Sequence, residues 1–241
     1  VSNDAAARPL SLDAALAQER FRDVIALCDA LPDSPRLLWQ RGLALRGIDD
    51  LAGAAGALSR AAQVQETDVA RADCLIDLAL THTRQGAVDK AREVLEQAHP
   101  VYAALASDMG LCKCEFVDCV VATRQGRYSE TVPRLLDLAG RFAMLDAPSW
   151  QVGALALASN GYLLVFELDK AVTVIERARP LARQHQLAFR LGQLDYQAAW
   201  IAQEQGDVAR ARSLLAQSRE ACAISGARLL EADLRLLEAN L

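Results

Sequence analysis

The stretch THTRQGAVDKAREVLEQA, residues 81–98, decides the fold because it reads as the end of one helix, a turn at Gly86 and the start of a second helix. Two further stretches repeat this pattern: VATRQGRYSETVPRLLDLA at residues 121–139 and IAQEQGDVARARSLLAQS at residues 201–218. Gly126 and Gly206 hold the place of Gly86, at multiples of forty residues. Glycine ends helices by adopting positive φ without steric cost. The sequence therefore predicts a helical hairpin repeated every forty residues.

Three further columns of the repeat support this period, if Phe166 is taken as the fourth turn position. Residues five after the turn are small, residues nine after it are large and aliphatic, and residues seven before it are small. The column five residues after the turn is Ala91, Thr131, Ala171 and Ala211. The column nine residues after it is Leu95, Leu135, Ile175 and Leu215. The column seven residues before it is Ala79, Cys119, Ser159 and Ala199. Small residues allow two helices to approach, and aliphatic residues fill the seam between neighbouring pairs. Phe166 replaces glycine, so we expect that turn to close differently.

The repeat has a small eighth residue, Gly-x-x-x-x-Ala across the turn and a small residue near position twenty-seven. Over about residues 14–241, this pattern resembles the tetratricopeptide repeat. The period is forty residues rather than about 34, and the usual aromatic at the fourth position is replaced by Leu75, Glu115, Leu155 and Asp195. We expect the extra length, about 1.7 helical turns, to be shared between the second helix and its connector. HEAT-like repeats are the alternative scaffold.

The long period resembles repeats of bacterial signalling proteins, such as sensor regions of diguanylate cyclases or of maltose-regulator-type transcription regulators. This resemblance implies an all-α, right-handed superhelical solenoid of antiparallel helix pairs. We interpret residues 1–241 as one domain, with irregular pairs in 10–70, regular repeats in 71–231 and a truncated last helix in 232–241. The register of that last helix predicts that the chain is a fragment whose output domain follows Leu241.

Composition excludes several classes of partner. A net charge of −5 and a pI near 5.3 argue against nucleic acid, which requires a basic face. The sequence has no apolar run long enough to span a membrane and no signal peptide. Six cysteines inside helical patterns indicate reduced thiols in a cytoplasmic protein.

No catalytic, metal or cofactor site is predicted. In CKCEFVDC, Cys112 and Cys119 share a helix face and Cys114 points elsewhere, and no histidine completes a tetrahedral metal site. His82, His99 and His185 fall at different repeat positions, and the sequence carries none of the common catalytic motifs.

The resemblance places the first helix of each pair on the concave surface, which would bind a protein or peptide. Apolar and aromatic side chains there would supply affinity, and amides would pair with a ligand backbone. The predicted contact residues are Ile76, Leu80, Lys113, Phe116, Val120, Asn160, Gln193, Tyr196 and Trp200. Trp200 and Asn160 are the leading candidates. Asparagine has poor helix propensity, so its presence in the middle of a predicted helix favours a binding role for the Asn160 amide.

The leading hypothesis is therefore a non-catalytic binding module, the sensor or docking region of a larger bacterial signalling protein. A stand-alone adaptor or chaperone is one alternative, and an enzyme with an unrecognised site in the groove is another. The apolar face of the terminal helix also predicts possible homodimerisation.

Overall fold

A computed structural model describes residues 11–227 and 229–239, and within them thirteen helices alternate with short connectors. These residues contain no strand, which confirms the predicted all-α class. The helices are α1 (Leu12–Ala17), α2 (Phe21–Asp29), α3 (Pro35–Gly47), α4 (Leu51–Val64), α5 (Asp68–Arg84), α6 (Val88–Ala104), α7 (Asp108–Arg124), α8 (Tyr128–Met144), α9 (Pro148–Leu164), α10 (Leu168–Gln184), α11 (Ala188–Glu204), α12 (Val208–Ser225) and α13 (Leu229–Ala239).

From α5 to α12 the helices begin every twenty residues and are joined by connectors of three residues. The extra length of the repeat therefore lies in both helices, and the prediction that the connector would take part of it is wrong. The middle residue of every connector has positive φ, whether or not it is glycine. These residues are Gly86, Ala106, Gly126, Asp146, Phe166, Gln186 and Gly206.

The turn at Phe166 closes like the glycine turns, so the prediction that it would differ is also wrong. Phe166 has a φ of 58°, and its N–H donates to the Leu163 carbonyl at 3.0 Å. The Glu167 N–H donates to the Tyr162 carbonyl at 2.9 Å, as the corresponding amides do at the Gly86 turn. The Phe166 side chain is 68% exposed, which gives it room in this conformation. The hydrogen bonds that end the helix therefore override the residue's conformational preference.

The helix pairs stack in chain order, as expected for a solenoid. Each helix packs against the next, and the odd-numbered helices from α3 to α13 also pack against one another. All twelve residues of the three repeat columns are buried, with Ala79, Cys119, Ser159 and Ala199 at 0% exposure. Small residues thus bring the paired helices together, as the columns predict. The odd-numbered helices form the inner layer.

The three central cysteines of α7 lie on two sides of that helix, as their spacing predicts. Cys112 and Cys119 belong to the core formed with α8 and α9, and Cys114 belongs to the core formed with α5 and α6. All six cysteines are buried. Within residues 11–227 and 229–239, no group of His, Cys, Asp or Glu side chains is arranged to hold a metal ion. None of the described helices has the length and apolar character needed to cross a membrane.

The predicted domain boundaries fall within helices. The boundary at 70/71 lies inside α5 and that at 231/232 lies inside α13. Residues 1–10, 228, 240 and 241 of the predicted domain lie outside the described residues.

The superhelix curves back so that the start of α11 contacts the N-terminal end of the described chain. We call this contact the closure. It is formed by residues 18–21 with Ala188, Phe189 and Arg190. The Arg190 N–H donates to Glu19 Oε2 at 2.9 Å, and the Ala188 N–H donates to the Gln18 carbonyl at 3.4 Å. The rings of Phe21 and Phe189 meet edge to face, with centroids 6.0 Å apart. The inner helices are consequently arranged around a central space.

Candidate functional site

The central space, which we call the channel, has a cavity volume of about 420 Å³. This lies within the range of about 300–1,000 Å³ that is usual for ligand sites. Beyond α2, every lining residue comes from an odd-numbered helix. The lining consists of Leu16, Glu19, Phe21, Trp39, Leu43, Arg46, Gly47, Asp73, Ile76, Asp77, Leu80, Arg84, Lys113, Phe116, Val120, Arg124, Ser149, Trp150, Gly153, Leu157, Phe189, Arg190 and Gln193.

An aromatic wall forms one side of the channel. The indole of Trp150 meets the Phe116 ring edge to face at 5.5 Å and stacks on the Phe142 ring at 5.7 Å. The Lys113 ammonium lies 5.7 Å from the centroid of the Trp150 ring. Ile76 and Leu80 continue this wall along α5. Such a surface suits a large apolar side chain, because burying aromatic and aliphatic area supplies affinity.

Two carboxylates in the channel are held by neighbouring helices. Asp77 accepts hydrogen bonds from the Trp39 indole and from Arg46, both at 2.9 Å. Asp73 accepts from the Tyr102 hydroxyl and from the Lys113 ammonium, both at 2.7 Å. Burial, together with the Asp73 charge, raises the pKa of Tyr102 far above its usual value, so Tyr102 is a donor at all ordinary pH values. These bonds fix the inner helices relative to one another.

Four guanidinium groups also face the channel, and we call them the arginine cluster: Arg46, Arg84, Arg124 and Arg190. Arg84 donates to the Arg46 carbonyl at 2.6 Å and to Asp49 at 2.8 Å. Burial, and after it the positive charge of Arg46, lowers the pKa of Arg84 to about 10. The cluster is therefore a concentration of positive charge inside an acidic protein.

Arg124 and Arg190 are the least compensated members of the cluster. Arg124 is exposed and forms no ion pair with any residue that the structure describes. The Nε atom of Arg190 is buried and lies 3.7 Å from Glu19 Oε1, beyond hydrogen-bonding distance. An anion entering the channel would find donors on both side chains.

Six of the nine predicted contact residues line the channel: Ile76, Leu80, Lys113, Phe116, Val120 and Gln193. Asn160, Tyr196 and Trp200 lie outside the lining. The lining ends at Leu157, just past the middle of α9, and at Gln193, in the N-terminal half of α11. Tyr196 and Trp200 lie further along α11 and pack against the core, and the Trp200 indole donates to Glu204 at 3.2 Å.

Repeat columns alone missed several lining residues. Arg84 and Arg124 hold the same place in the repeated tetrapeptide TRQG, a signal present in both stretches. Trp150 and Arg190 also share a column, forty residues apart, in the first turns of α9 and α11. Trp39 and Leu43 come from α3, which belongs to the irregular N-terminal pairs. Trp39 and Leu43 belong to no column of the repeat, so the repeat pattern does not identify them.

The fold is shared with solved tetratricopeptide-type structures. NprR in complex with its cognate peptide NprX has a TM-score of 0.73 at 16% identity, covering 94% of this chain and 69% of that chain. Rap protein complexed with Competence and Sporulation Factor has a TM-score of 0.72 at 13% identity, covering 90% of this chain. A kinesin light chain from Podosopora anserina with nearly identical TPR-like repeats has a TM-score of 0.50 at 17% identity, covering 80% of this chain and 98% of that chain.

These likenesses establish a tetratricopeptide-type fold. The chain spans 62% of the length of the Rap protein it matches. No protein-family model matches the sequence, and no curated protein sequence matches it either.

Proposed function

We propose that this chain is a non-catalytic peptide-binding module and that the channel is its binding site. The observation that carries the proposal is the channel itself, a half-open cavity of about 420 Å³ lined by the inner helices of successive repeats. Its wall combines aromatic rings with charged groups. In binding sites, aromatic rings anchor a side chain of the ligand and charged groups fix the ligand's orientation. NprR, which shares the fold, binds a cognate peptide and provides a precedent.

We further propose that the module is the cytoplasmic sensor or docking region of a larger bacterial signalling protein. A ligand in the channel would touch the inner helices and the residues of the closure together, since Glu19, Phe21 and Arg190 belong to the lining. Binding would therefore favour the closed superhelix over an open one. Such a difference in affinity between two states is what allows a ligand to bias an attached domain.

Affinity selection from a mixture of random octapeptides tests the proposed site. The protein is incubated with the mixture, separated from free peptide by gel filtration, and the bound peptides are quantified by mass spectrometry. We expect Trp150→Leu to reduce the recovered peptide at least tenfold, because Trp150 forms the aromatic wall. Trp200→Leu is the matched control, since Trp200 lies outside the lining.

A second substitution keeps the test informative if Trp150→Leu does not fold. Val120 lines the channel and is only half-buried, so Val120→Gln changes the wall with little disturbance of the core. Circular dichroism and thermal unfolding establish that each variant is folded. Equal recovery by the wild type, Val120→Gln and Trp150→Leu would exclude the channel as the binding site.

A further inference from the structure

The channel has the charge pattern of a site for an acidic ligand, although the protein as a whole is acidic. Five cationic side chains and three carboxylates line it, while the chain carries a net charge of −5. Each of the three carboxylates already has a partner: Glu19 the Arg190 backbone, Asp73 Lys113, and Asp77 Arg46. Arg84 is paired with Asp49, which lies outside the lining, so the excess positive charge is on Arg124, which forms no ion pair with any described residue.

Apolar residues from two parts of the chain line the channel together with the arginine cluster. On the repeat side are Ile76, Leu80 and Phe116, and on the N-terminal side are Leu16, Phe21 and Phe189. The Arg190 guanidinium lies 5.5 Å from the centroid of the Phe189 ring, which joins the cluster to the second region. A bound segment therefore has apolar side chains to contact in both parts of the lining.

The distance between the aromatic wall and the cluster sets the spacing in a ligand. Arg124 follows Phe116 by eight residues in α7, and Arg84 follows Ile76 by eight in α5. Eight residues of helix correspond to about 12 Å along the axis. An extended peptide advances about 3.3 Å per residue. The two features are thus roughly three to four residues apart on an extended ligand.

We infer that the ligand is an acidic peptide segment, an inference that rests on the proposed function. In this segment an aspartate or glutamate side chain lies roughly three to four residues from a large apolar side chain. Its carboxylate pairs with Arg124, the member of the arginine cluster that forms no ion pair with a described residue, and its apolar side chain packs on Phe116 and Trp150. A side-chain carboxylate fits better than a chain terminus, because apolar side chains also lie beside the cluster: Phe21 packs on Gly47 next to Arg46, and the Arg190 guanidinium lies over the Phe189 ring. Arginine binds carboxylates through paired hydrogen bonds, which gives this contact specificity.

Two matched octapeptide mixtures test the inference. One contains all side chains, and the other replaces aspartate by asparagine and glutamate by glutamine. We expect the recovered peptides to be enriched in acidic residues at the stated spacing, and the amide version of the best binder to bind roughly ten- to a hundredfold more weakly. Titration calorimetry on the two synthetic peptides measures this ratio.

The variant Arg124→Gln should abolish most of the difference between the two peptides. Arg177→Gln is its control, because Arg177 is exposed on α10 in the outer layer. Equal binding of acid and amide peptides would overturn the inference and leave the proposed function standing. Failure to recover any peptide from either mixture would overturn both.

Two other outcomes would also overturn the inference. If binding were lost only when the C-terminus was amidated, the cluster would recognise a chain terminus. If succinate alone displaced the acidic peptide at similar concentrations, the channel would be a site for small dicarboxylates.

Discussion

The regular repeats and the closure are held together by different interactions. From α5 to α12, small residues and aliphatic side chains meet at positions that recur with the period, and their contacts join neighbouring helices. The closure joins Glu19 to Arg190, residues 171 apart in the chain, through a buried carboxylate and an aromatic pair. Repetition thus builds the wall of the channel, and a few non-repeated residues determine that the wall closes.

The largest expected effect is loss of core packing in the regular repeats. Leu135 is 0% exposed and occupies the aliphatic column, so Leu135→Ala should lower the free energy of unfolding by about 2–5 kcal/mol. Urea denaturation followed by circular dichroism measures the change. Leu105→Ala is the control, since Leu105 is 56% exposed and should have an effect below about 0.5 kcal/mol. Equal effects at the two sites would contradict the assigned core.

A smaller and more local effect is expected from breaking the closure. Arg190→Gln removes the guanidinium beside Glu19 and should cost about 1–3 kcal/mol. The helices of the regular repeats should remain, because Arg190 lies outside the buried columns of small and aliphatic residues that hold these helices together. Arg177→Gln serves as the exposed control.

Thiol labelling followed by mass spectrometry locates that effect. Cys28 lies in α2 and Cys119 in α7, and burial raises the pKa of both thiols, that of Cys119 to about 11. In Arg190→Gln we expect faster labelling of Cys28 and an unchanged rate at Cys119. Parallel acceleration at both cysteines would mean that the closure and the repeats unfold as one unit.

The smallest effects concern the turns, where glycine and non-glycine residues share one conformation. Phe166→Gly should raise the free energy of unfolding by about 0.5–1 kcal/mol, because the left-handed conformation costs a residue with a Cβ about 1–2 kcal/mol and glycine's extra entropy offsets part of this gain. Gly86→Ala, at a φ of 78°, should lower the free energy of unfolding by about 1 kcal/mol. Thermal unfolding compares the two variants, and changes of the same sign would refute the account of the turns.

The sequence predicts local structure well because each turn and seam depends on residues that recur. The columns at Ala79, Ala91 and Leu95 identify buried positions in every repeat, and Gly86, Gly126 and Gly206 identify three of the four turns within the regular helix pairs. At Phe166 the pattern misled, since the backbone hydrogen bonds of the turn do not require glycine.

The channel is harder to predict because its shape accumulates over several repeats. The lined part of each inner helix shifts along the molecule: the lining reaches the last residues of α5 and α7, Arg84 and Arg124, but ends at Leu157 in α9 and at Gln193 in α11. A fixed column therefore includes Ile76 and Phe116 in the lining but leaves Tyr196 outside it. The contact between Glu19 and Arg190 has no counterpart in the repeat and leaves no signal in its columns.

The most direct test of the central claim, that the repeats close around a channel, is a distance measured across the closure in solution. Nitroxide labels at Ala26→Cys on α2 and Ile224→Cys at the end of α12 occupy exposed positions, and the native cysteines are buried. Arg22, one turn before Ala26, packs so closely on Gly226 that a Cβ there would lie 2.5 Å from the arginine side chain. Double electron–electron resonance should give one narrow distribution near the short-distance limit of the method. A broad distribution at long distances would show an open solenoid and contradict the account.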